Sequence, residues 1–546
     1  MQAVAKRNDA DWWRGAVIYE IYPRSFQDTK GDGSGDLRGI TRRLQHVASL
    51  GADAIWIAPF FKSPMADMGY DISDYCAVDP MFGTLGDFDA LVAEAHRLGL
   101  KVIIDQVLSH SSDQHPWFLE SRSSRTNPKA DWYVWADPQR DGSPPNNWLS
   151  IFGGPAWEWD SVRKQYYLHN FLVSQPDLNF HNDEVQAALL ETVRFWLDRG
   201  VDGFRLDTTN FYFHDAELRG NPPREPRGSS FVDTNPYEYQ EHIYDKNRPD
   251  TPRFLRRLRA LLDEYDAVAM GEVGEGDGFR SLQLVSEYTS GKDKLHMCYT
   301  FDMLGPFLTP EQVRKCAGPF SGAIGDGWIC WAFSNHDTVR HVTRWTKDFD
   351  DPVRVAKVAI AVLVALRGAI CLYQGEELGL GEAELAFEDL RDPYGIRFWP
   401  GYKGRDGCRT PMVWDASQPN GGFTTGKPWL PVPASHIARA VSVQEGDPNS
   451  VLAAYRTMLG FRRAHRALRD GDIEMLEEPK GVLAFVRRSE DEGILCVFNL
   501  SPAATEFPLA DRMTAVSQRP VLDLGARLEG KAVRLPPFSA FFGRIA

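Results

Sequence analysis

Paired cysteines and long apolar runs are both missing from this sequence. Only seven of its 546 residues are cysteine. No two cysteines stand in a CxxC motif, and most lie in apolar runs such as Ala369–Leu372, which is typical of reduced, buried thiols in a cytoplasmic protein. The longest uninterrupted apolar run, Val358–Leu366, is far shorter than the ~20 residues of a membrane helix. Residues 1–10 are polar, so we expect no signal peptide.

An excess of positive charge is also lacking. The net charge is −14 and the pI is about 5.5, which disfavours nucleic acid as a partner. No GxGxxG fingerprint is present, which argues against a dinucleotide fold. Aromatic residues, in contrast, make up 12% of the chain and include 16 tryptophans. Aromatic rings suit sugar binding because pyranose faces are apolar, although core packing is the commoner role of any single tryptophan.

Short apolar runs alternate with helical patterns along most of the chain. The predicted strands are Val17–Tyr22, Ala54–Ile57, Val102–Asp105, Gly203–Asp207, Val268–Glu272, His296–Tyr299, Ile329–Phe333 and Ile370–Tyr373. Helical patterns between them include Phe88–Leu98, Glu184–Asp198, Arg253–Tyr265 and Val353–Leu366. This alternation predicts an α/β fold with a parallel sheet, and eight units predict a closed (β/α)₈ TIM barrel. The alternative is an open, doubly wound sheet.

Three segments depart from this alternation. Residues 109–174 are rich in Trp, Pro, Gly and Asn and predict a subdomain inserted after the third strand. Residues 376–447 form an irregular excursion within the barrel, which takes residues 1–108 and 175–467. From residue 468 the pattern changes to short alternating strands, among them Val482–Val486, Ile494–Phe498 and Phe538–Gly543. Residues 468–546 therefore predict a C-terminal antiparallel β domain.

Polar residues of one chemical kind follow four of the predicted strands: Asp105 and His110, Arg205 and Asp207, Glu272, and Asn335 to Asp337. The carboxyl ends of barrel strands are where active sites lie. Carboxylates at the tips of apolar strands are costly to bury unless they have a function. One such residue could belong to a structural ion pair, but the whole set predicts an active site.

The pattern suits hydrolysis of a glycosidic bond, which needs a proton donor and a carboxylate facing the reacting carbon. Arg205 lies two residues before Asp207, on the same face of a strand, where its guanidinium would hold Asp207 ionised as a nucleophile must be. Glu272 lies on an apolar strand, where burial would raise its pKa as the acid requires.

These residues stand in motifs that resemble glycoside hydrolase family 13, the α-amylase family. The four core motifs occur in order as Asp105–His110, Gly203–Asp207, Gly271–Gly274 and Phe333–Asp337. The resemblance implies roles for six residues. Asp207 would be the nucleophile, Glu272 the acid/base and Asp337 the third carboxylate that stabilises the transition state, while His110 and His336 would bind sugar hydroxyls and Arg205 would orient the nucleophile.

Further segments resemble one branch of the family. Gln175–Asn179 is similar to the motif of the oligo-1,6-glucosidase subfamily, which includes α-glucosidases. Gly69–Tyr75 resembles the segment that closes the glucose subsite, so Tyr70 would stack on the sugar and Asp71 would bind its far hydroxyls. In the motif Arg405–Thr410, Arg409 would pair with Asp71. Phe152 and Phe171 resemble aromatic residues that line the same pocket, although either residue alone is more often part of a core.

The resemblance predicts an exo-acting, retaining α-glucosidase that releases glucose from the non-reducing end of short α-glucosides. Thr208 follows the nucleophile, where the subfamily has threonine or alanine for α-1,4 and valine for α-1,6 linkages, so we expect α-1,4 preference. The alternatives are a glucosyl-transferring enzyme or sugar isomerase and, since such relatives lose carboxylates that are intact here, less readily a catalytically dead binding subunit. The expected partner is a small oligosaccharide or α-glucoside, with no cofactor needed for the chemistry.

One loop resembles the family's structural calcium or magnesium site. Asp28, Asp32, Ser34 and Asp36 provide oxygen donors at every second residue, which suits a hard cation. Lys30 departs from the pattern, because family members usually carry Asn or Asp there. An ammonium cannot ligate a cation and could itself neutralise the three aspartates. The sequence leaves both readings of the loop open.

Overall fold

The computed structural model describes residues 11–224, 235–275, 278–321, 325–347, 349–477, 479, 481–509, 517–519 and 521–545. Its strands, in chain order, are β1 (Val17–Ile21), β2 (Ala54–Ile57), β3 (Phe61–Lys62), β4 (Asp74–Val78), β5 (Lys101–Gln106), β6 (Trp135–Ala136), β7 (Trp157–Asp160), β8 (Gln165–Leu168), β9 (Gly203–Leu206), β10 (Val268–Val273), β11 (Met297–Thr300), β12 (Cys330–Ala332), β13 (Ala369–Tyr373), β14 (Asp472–Met475), β15 (Val482–Arg488), β16 (Gly493–Asn499), β17 (Thr505–Pro508), β18 (Ser517–Arg519), β19 (Arg527–Glu529), β20 (Ala532–Leu535) and β21 (Ser539–Ile545).

The helices, in chain order, are α1 (Leu37–Leu50), α2 (Leu85–Arg97), α3 (Pro116–Ser123), α4 (Asp183–Leu197), α5 (Thr251–Asp263), α6 (Gly278–Thr289), α7 (Pro310–Ala317), α8 (His341–Trp345), α9 (Pro352–Ala365), α10 (Pro393–Phe398), α11 (Ala434–Ile437), α12 (Val441–Gln444), α13 (Val451–Ala464) and α14 (Arg466–Arg469). Capping residues in the sequence determine where several of these helices begin. Thr84 forms a capping box with Asp87 at the start of α2, and Asn182 caps α4. Across the described residues, none of these helices is long and apolar enough to cross a membrane.

Eight parallel strands form the barrel in the order β11-β10-β9-β5-β2-β1-β13-β12. A parallel bridge between Cys298 and Ile329 joins the two outer strands and closes the sheet. The predicted TIM barrel is confirmed, with all eight strands at the predicted places. Closure removes the sheet edges and brings every strand's carboxyl end to one rim.

Side chains alternate between two cores along each barrel strand. On β1, Val17, Tyr19 and Ile21 pack outward against the helices, whereas Ile18 packs inside the barrel with Trp56 and other interior residues. The period of two residues therefore turns Glu20 to the interior as well. The register places Arg205 beside both Asp105 and Met270 on the neighbouring strands. This register brings the polar residues near the carboxyl ends of neighbouring strands to the same height along the barrel axis.

The remaining sheets lie outside the barrel. Strands β6, β8 and β7 form a small antiparallel sheet within the insertion after the third barrel strand. The C-terminal region has one five-stranded and one three-stranded antiparallel sheet, as the alternating pattern predicted. Between residues 376 and 447 the regular elements are the short helices α10, α11 and α12 and 3-10 turns. The exact domain limits stated above stay predictions.

Candidate active site

The Arg205 guanidinium is the centre of the carboxylate cluster at the barrel rim. One of its terminal nitrogens, Nη1, lies 2.8 Å from Asp105 Oδ1 and 2.7 Å from Asp207 Oδ1. The other, Nη2, lies 2.7 Å from Glu272 Oε2 and 2.9 Å from the Tyr299 hydroxyl. Arg205 is fully buried. One fixed cation thus bridges the predicted nucleophile and the predicted acid.

Sharing one cation among three carboxylates changes their acidity. Burial raises the pKa of Asp207 to about 7, because Arg205 only partly offsets it and Asp105 adds to the increase. Burial likewise raises the pKa of Glu272 to about 7, against the opposing effect of Arg205. The expectation that Arg205 would hold Asp207 ionised with a low pKa is not met, because burial, together with Asp105 and Asp337, outweighs the lowering effect of Arg205. The raised pKa expected for Glu272 is confirmed.

Asp337 has the opposite electrostatic setting. Burial raises its pKa, but His336, Arg405 and Arg409 outweigh that effect and hold the pKa well below its usual range. Its Oδ1 accepts from Arg409 at 2.8 Å and from Arg405 at 3.2 Å, and Oδ2 lies 3.3 Å from His336 Nε2. Asp337 is therefore the carboxylate that stays ionised, whatever proton the other carboxylates share.

The charged pair at the end of the pocket differs from the one expected. Asp71 is fully buried and accepts from Ser63 Oγ at 3.0 Å and from the backbone amides of Ala66 and Asp67, both at 2.9 Å. Asp67 instead pairs with Arg405 at 2.7 Å. The predicted Asp71–Arg409 pair is therefore corrected to Asp67–Arg405. By accepting from the amides of Ala66 and Asp67, Asp71 stabilises the turn that contains Asp67.

A cavity of about 440 Å³ opens at the strand ends. Eight of the predicted residues line it: Tyr70, His110, Phe152, Phe171, Asp207, Thr208, Glu272 and Asp337. Its other walls include Asp67, Phe211, Tyr237, Tyr394 and Arg405. Arg205, His336 and Arg409 lie behind this first layer and contact its carboxylates. Phe152 and Phe171 both line the cavity, and their rings stand 6.1 Å apart, edge to face.

Both predicted histidines are held in fixed orientations. His110 Nε2 lies 3.1 Å from the Tyr70 carbonyl and 3.1 Å from Gln175 Nε2, and burial lowers its pKa to about 4. Gln175 also donates to Asp67 Oδ2 at 3.1 Å, which ties the Gln175–Asn179 motif to the pocket. The His336 ring stacks on Tyr70 at 5.4 Å with 3° between the ring planes, and burial lowers its pKa to about 3.

Thr208 contacts both reacting carboxylates. Its backbone amide donates to Glu272 Oε2 at 3.0 Å, and its hydroxyl lies 3.2 Å from Asp207 Oδ2 and 2.9 Å from Ser109 Oγ. Its φ of 42° lies in the left-handed region, which is unusual for a β-branched residue and typical of functional sites. The strand turns sharply at this point, so that one residue reaches both side chains.

The loop that resembles a cation site satisfies its own carboxylates. Asp28 accepts from the amides of Lys30, Gly31 and Gly33 at 2.7–2.8 Å and from Thr424 Oγ1 at 2.6 Å. The Lys30 ammonium lies 3.3 Å from Asp32 and donates to the Met81 carbonyl. Asp36 caps α1 at Gly39, and the Ser34 amide donates to Asp32 at 3.0 Å. Within the described part of the chain, no cluster of three or more His, Cys, Asp or Glu side chains has the arrangement of a metal site. The carboxylates of Asp28 and Asp32 thus already have partners, among them the Lys30 ammonium.

Sequence reasoning missed several residues of the site: Asp67, Asp105 as a partner of Arg205, Gln175 as a contact, Tyr299 and Arg405. Two signals could have found the charged pair. Asp67 stands in the same short segment as Tyr70, and Arg405 opens the motif from which only Arg409 was chosen. Tyr299 is the penultimate residue of the sixth barrel strand, β11, which the sequence did not mark with a charged residue at its end. Its hydroxyl donates to Glu272 at 2.8 Å.

Two buried carboxyl groups that share one cation at the rim of a barrel, beside an aromatic pocket, provide the groups that glycoside hydrolysis requires. Residues 20–471 match the alpha amylase catalytic domain, and residues 473–541 match the maltogenic amylase C-terminal domain. The chain belongs to the α-amylase family, as the motifs predicted.

Relatives of known name agree with this class. A probable alpha-glucosidase of Rhizobium meliloti (strain 1021) is 61% identical over 545 residues and covers 98% of each chain. The oligo-1,6-glucosidase of Heyndrickxia coagulans is 37% identical over 92% of this chain and 94% of its own. The crystal structure of an alpha-glucosyl transfer enzyme superposes with a TM-score of 0.94 at 55% identity, covering 98% of this chain and 99% of that one. The chain is thus an enzyme of the α-glucosidase class that acts on α-glucosides.

The corrected ion pair generates a test that uses two neighbouring aspartates. Asp67→Asn should lower kcat/KM for maltose by roughly 10–150-fold, the effect of weakening hydrogen bonds made by a charged group in the pocket. Asp71→Asn should act mainly on stability, because its partners are backbone amides of the turn. Steady-state kinetics and thermal midpoints of both variants separate the two roles. Equal kinetic losses with equal midpoints would restore Asp71 to the pocket.

Proposed function

We propose that this enzyme is an exo-acting, retaining α-glucosidase that releases α-glucose from the non-reducing end of short α-glucosides. The observation that supports it is the bridge that Arg205 makes between Asp207 and Glu272 at the base of a pocket bearing the Asp67–Arg405 pair. A charged pair at the pocket end can hydrogen-bond a terminal glucose and leaves no path for a longer chain. This favours cleavage at the chain end over internal cleavage.

The reaction follows from the two carboxyl groups. Asp207 attacks the anomeric carbon while Glu272 gives its proton to the glycosidic oxygen, so the aglycone leaves with a hydroxyl and a glucosyl-enzyme ester forms. Glu272, now ionised, takes a proton from water, and that water cleaves the ester to give α-glucose. Both pKa values lie near 7, so around neutral pH the pair can hold one proton between them. The reactive form of the enzyme is the one in which Glu272 carries that proton and Asp207 is ionised.

The proposal predicts the first anomer and the effect of losing the acid. NMR should show α-glucose before mutarotation, since two displacements retain configuration. Glu272→Gln should lower kcat/KM for maltose by roughly 10²–10⁴-fold. It should lower the value for a nitrophenyl α-glucoside much less, because that leaving group needs little protonation. β-Glucose as the first product would exclude retention, and equal losses on both substrates would exclude Glu272 as the acid.

We also propose α-1,4 preference, which rests on Thr208. The Thr208 hydroxyl lies between Asp207 and Ser109 on the wall of the pocket, beside the bond to be broken. Valine has the same shape and the same tolerance for this backbone, but it lacks the hydroxyl. Replacement therefore changes polarity at the point where the aglycone leaves, with the backbone contact to Glu272 retained.

Thr208→Val should raise the isomaltose-to-maltose ratio of kcat/KM by roughly 10–200-fold at most, the range available to one side chain. Thr208→Ala is the matched control, since alanine accompanies α-1,4 specificity in the resembled subfamily, and it should keep the preference for maltose. Maltose, isomaltose and sucrose would be compared for all three proteins. A wild type that already prefers isomaltose, or an unchanged ratio in the valine variant, would remove Thr208 as the determinant.

Glucosyl transfer is the second candidate, and the aromatic walls of the pocket favour it. Phe152, Phe171, Phe211, Tyr237, Phe301 and Tyr394 surround the space beyond the reacting carboxyls. Such walls bind an acceptor molecule and exclude water from the glucosyl-enzyme, whose ester can react with either. The similarity to an alpha-glucosyl transfer enzyme supports the same reading. Product analysis on maltose at rising acceptor concentration distinguishes transfer products from free glucose.

We propose further that the loop at residues 28–36 is held by Lys30 and needs no calcium or magnesium. The ammonium contacts Asp32 and the Met81 carbonyl, so it offsets the charge of Asp32 and links the loop to a neighbouring turn. Asp28 and Asp36 are already paired within the loop and its surroundings. The role is structural and lies apart from the chemistry of the pocket.

Chelation with EDTA should therefore leave the thermal midpoint and activity of the wild type unchanged. Lys30→Asn replaces the ammonium with a carbonyl oxygen and a smaller side chain, so calcium should raise the midpoint of this variant but not that of the wild type. Differential scanning fluorimetry across a calcium titration measures both. A wild-type midpoint that falls on chelation and recovers with calcium would contradict the proposal.

We place the enzyme in a reducing, cytoplasmic compartment. All seven cysteines are free in the structure, and all except Cys76 are buried. Burial raises the pKa of Cys298 and Cys496 and keeps these thiols protonated and unreactive. Labelling of the native enzyme with a thiol reagent in the absence of reductant should modify Cys76 first, and full recovery of seven thiols after denaturation would support this compartment.

A further inference from the structure

Glu20 is a buried carboxyl group that the reaction above does not use. It lies on β1, faces the barrel interior and has no exposed surface. Its Oε1 lies 2.5 Å from His336 Nδ1, and among the described atoms its Oε2 has no hydrogen-bond partner. Burying a carboxyl group with one partner costs free energy. The contact with His336 is therefore the interaction that accounts for a carboxyl group at this position.

The ring of His336 is already fixed in its plane by aromatic neighbours. Tyr70 stacks on one side at 5.4 Å, Tyr22 lies on another at 6.0 Å, and Trp56 approaches edge to face at 5.9 Å. Glu20 is thus not needed to hold the ring in place. What packing cannot decide is which ring nitrogen carries a proton.

The neighbours of Nε2 require a proton there. The Tyr70 hydroxyl donates to Asp105 Oδ2 at 3.1 Å, so its oxygen can only accept from His336 Nε2, 2.5 Å away. Asp337 Oδ2, 3.3 Å from the same nitrogen, is also an acceptor. A bare Nε2 would direct its lone pair at two oxygens. A neutral ring with a proton on Nε2 accepts at Nδ1, so Glu20 donates there through Oε1. Burial raises the pKa of Glu20 well above its usual range, which keeps this carboxyl group protonated.

We propose that Glu20 is a positioning residue that fixes His336 as a hydrogen-bond donor at Nε2. The proton that Glu20 donates to Nδ1 occupies that edge of the ring and excludes the tautomer in which Nε2 is bare. Nε2–H can then donate to its neighbours on the pocket side of the ring, which are the Tyr70 hydroxyl and Asp337 Oδ2. The inference rests on the proposed function, to which His336 contributes through Tyr70 and Asp337, two residues that line the pocket.

Two variants at one position separate this role from a structural one. Glu20→Met removes the partner of Nδ1 at similar volume and should lower kcat/KM for maltose by roughly 10–100-fold, the cost of leaving a buried hydrogen-bonding group without its partner. Glu20→Gln should stay within about threefold of the wild type, because its amide can donate to Nδ1 and preserve the same tautomer. Rescue by glutamine is not expected of a carboxyl group that serves only as a charge.

Glu377 offers a matched control. It is also fully buried and also contacts a histidine, His46, at 2.9 Å, with the Tyr19 hydroxyl at 2.8 Å, on the outer side of the same strand. Glu377→Met should lower the thermal midpoint and leave kcat/KM unchanged. This variant measures what the loss of a buried Glu–His contact does to the fold alone.

A double-mutant cycle with His336→Ala completes the test. If Glu20 acts through His336, Glu20→Met should add less than about twofold to the loss already caused by His336→Ala. Independent, multiplying losses would overturn the proposal, and so would full activity of Glu20→Met or equal losses in the methionine and glutamine variants. A wild type that releases no glucose from any α-glucoside would instead reject the proposed function, which keeps the two failures distinct.

Discussion

The site depends on one buried cation that is shared by more acids than it can neutralise. Arg205 contacts Asp105, Asp207 and Glu272, and each of these carboxyl groups is buried. Full ionisation of all three around one guanidinium would leave two uncompensated charges in a region of low dielectric. The cluster is therefore expected to retain a proton. An enzyme that protonates a leaving oxygen needs a carboxyl group that still carries its proton. The excess of carboxyl groups around Arg205 provides one.

The charges of neighbouring residues also explain why Asp337 differs from the carboxyl groups around Arg205. Asp337 contacts two guanidinium groups, Arg405 and Arg409, as well as His336, so it has more cationic partners than any carboxyl group around Arg205. It stays ionised while the proton resides with Asp207 or Glu272. A positive charge that develops on the sugar ring then faces a fixed negative charge on one side and the attacking carboxylate on the other. The division of labour among three aspartic and glutamic acids comes from their neighbours and not from their residue type.

Sequence predicted the barrel well, because its signals are local. Each strand is a short apolar run, and Asp207, Glu272 and Asp337 follow such runs directly, so their place on the rim was fixed once the strands were. Asp67 and Asp71 show the limit. Both flank Tyr70 in one segment, and only the fold of the turn decides that Asp71 binds backbone amides while Asp67 reaches Arg405, more than 300 residues away. The pKa of Asp207 was misjudged for a related reason. Its burial and the sharing of Arg205 with Asp105 and Glu272 depend on residues of neighbouring strands.

Glu20 illustrates how the barrel couples distant parts of the chain to one hydrogen bond. The period of β1 turns Glu20 inward, and its register places it beside Trp56 on β2 and Tyr373 on β13. His336 reaches it from the end of β12, 316 residues along the chain. From there, contacts continue through Tyr70 and Asp105 to Arg205. The carboxyl cluster around Arg205 and the buried His336 are therefore parts of one network, so the protonation of His336 and the position of Arg205 depend on the same closed sheet.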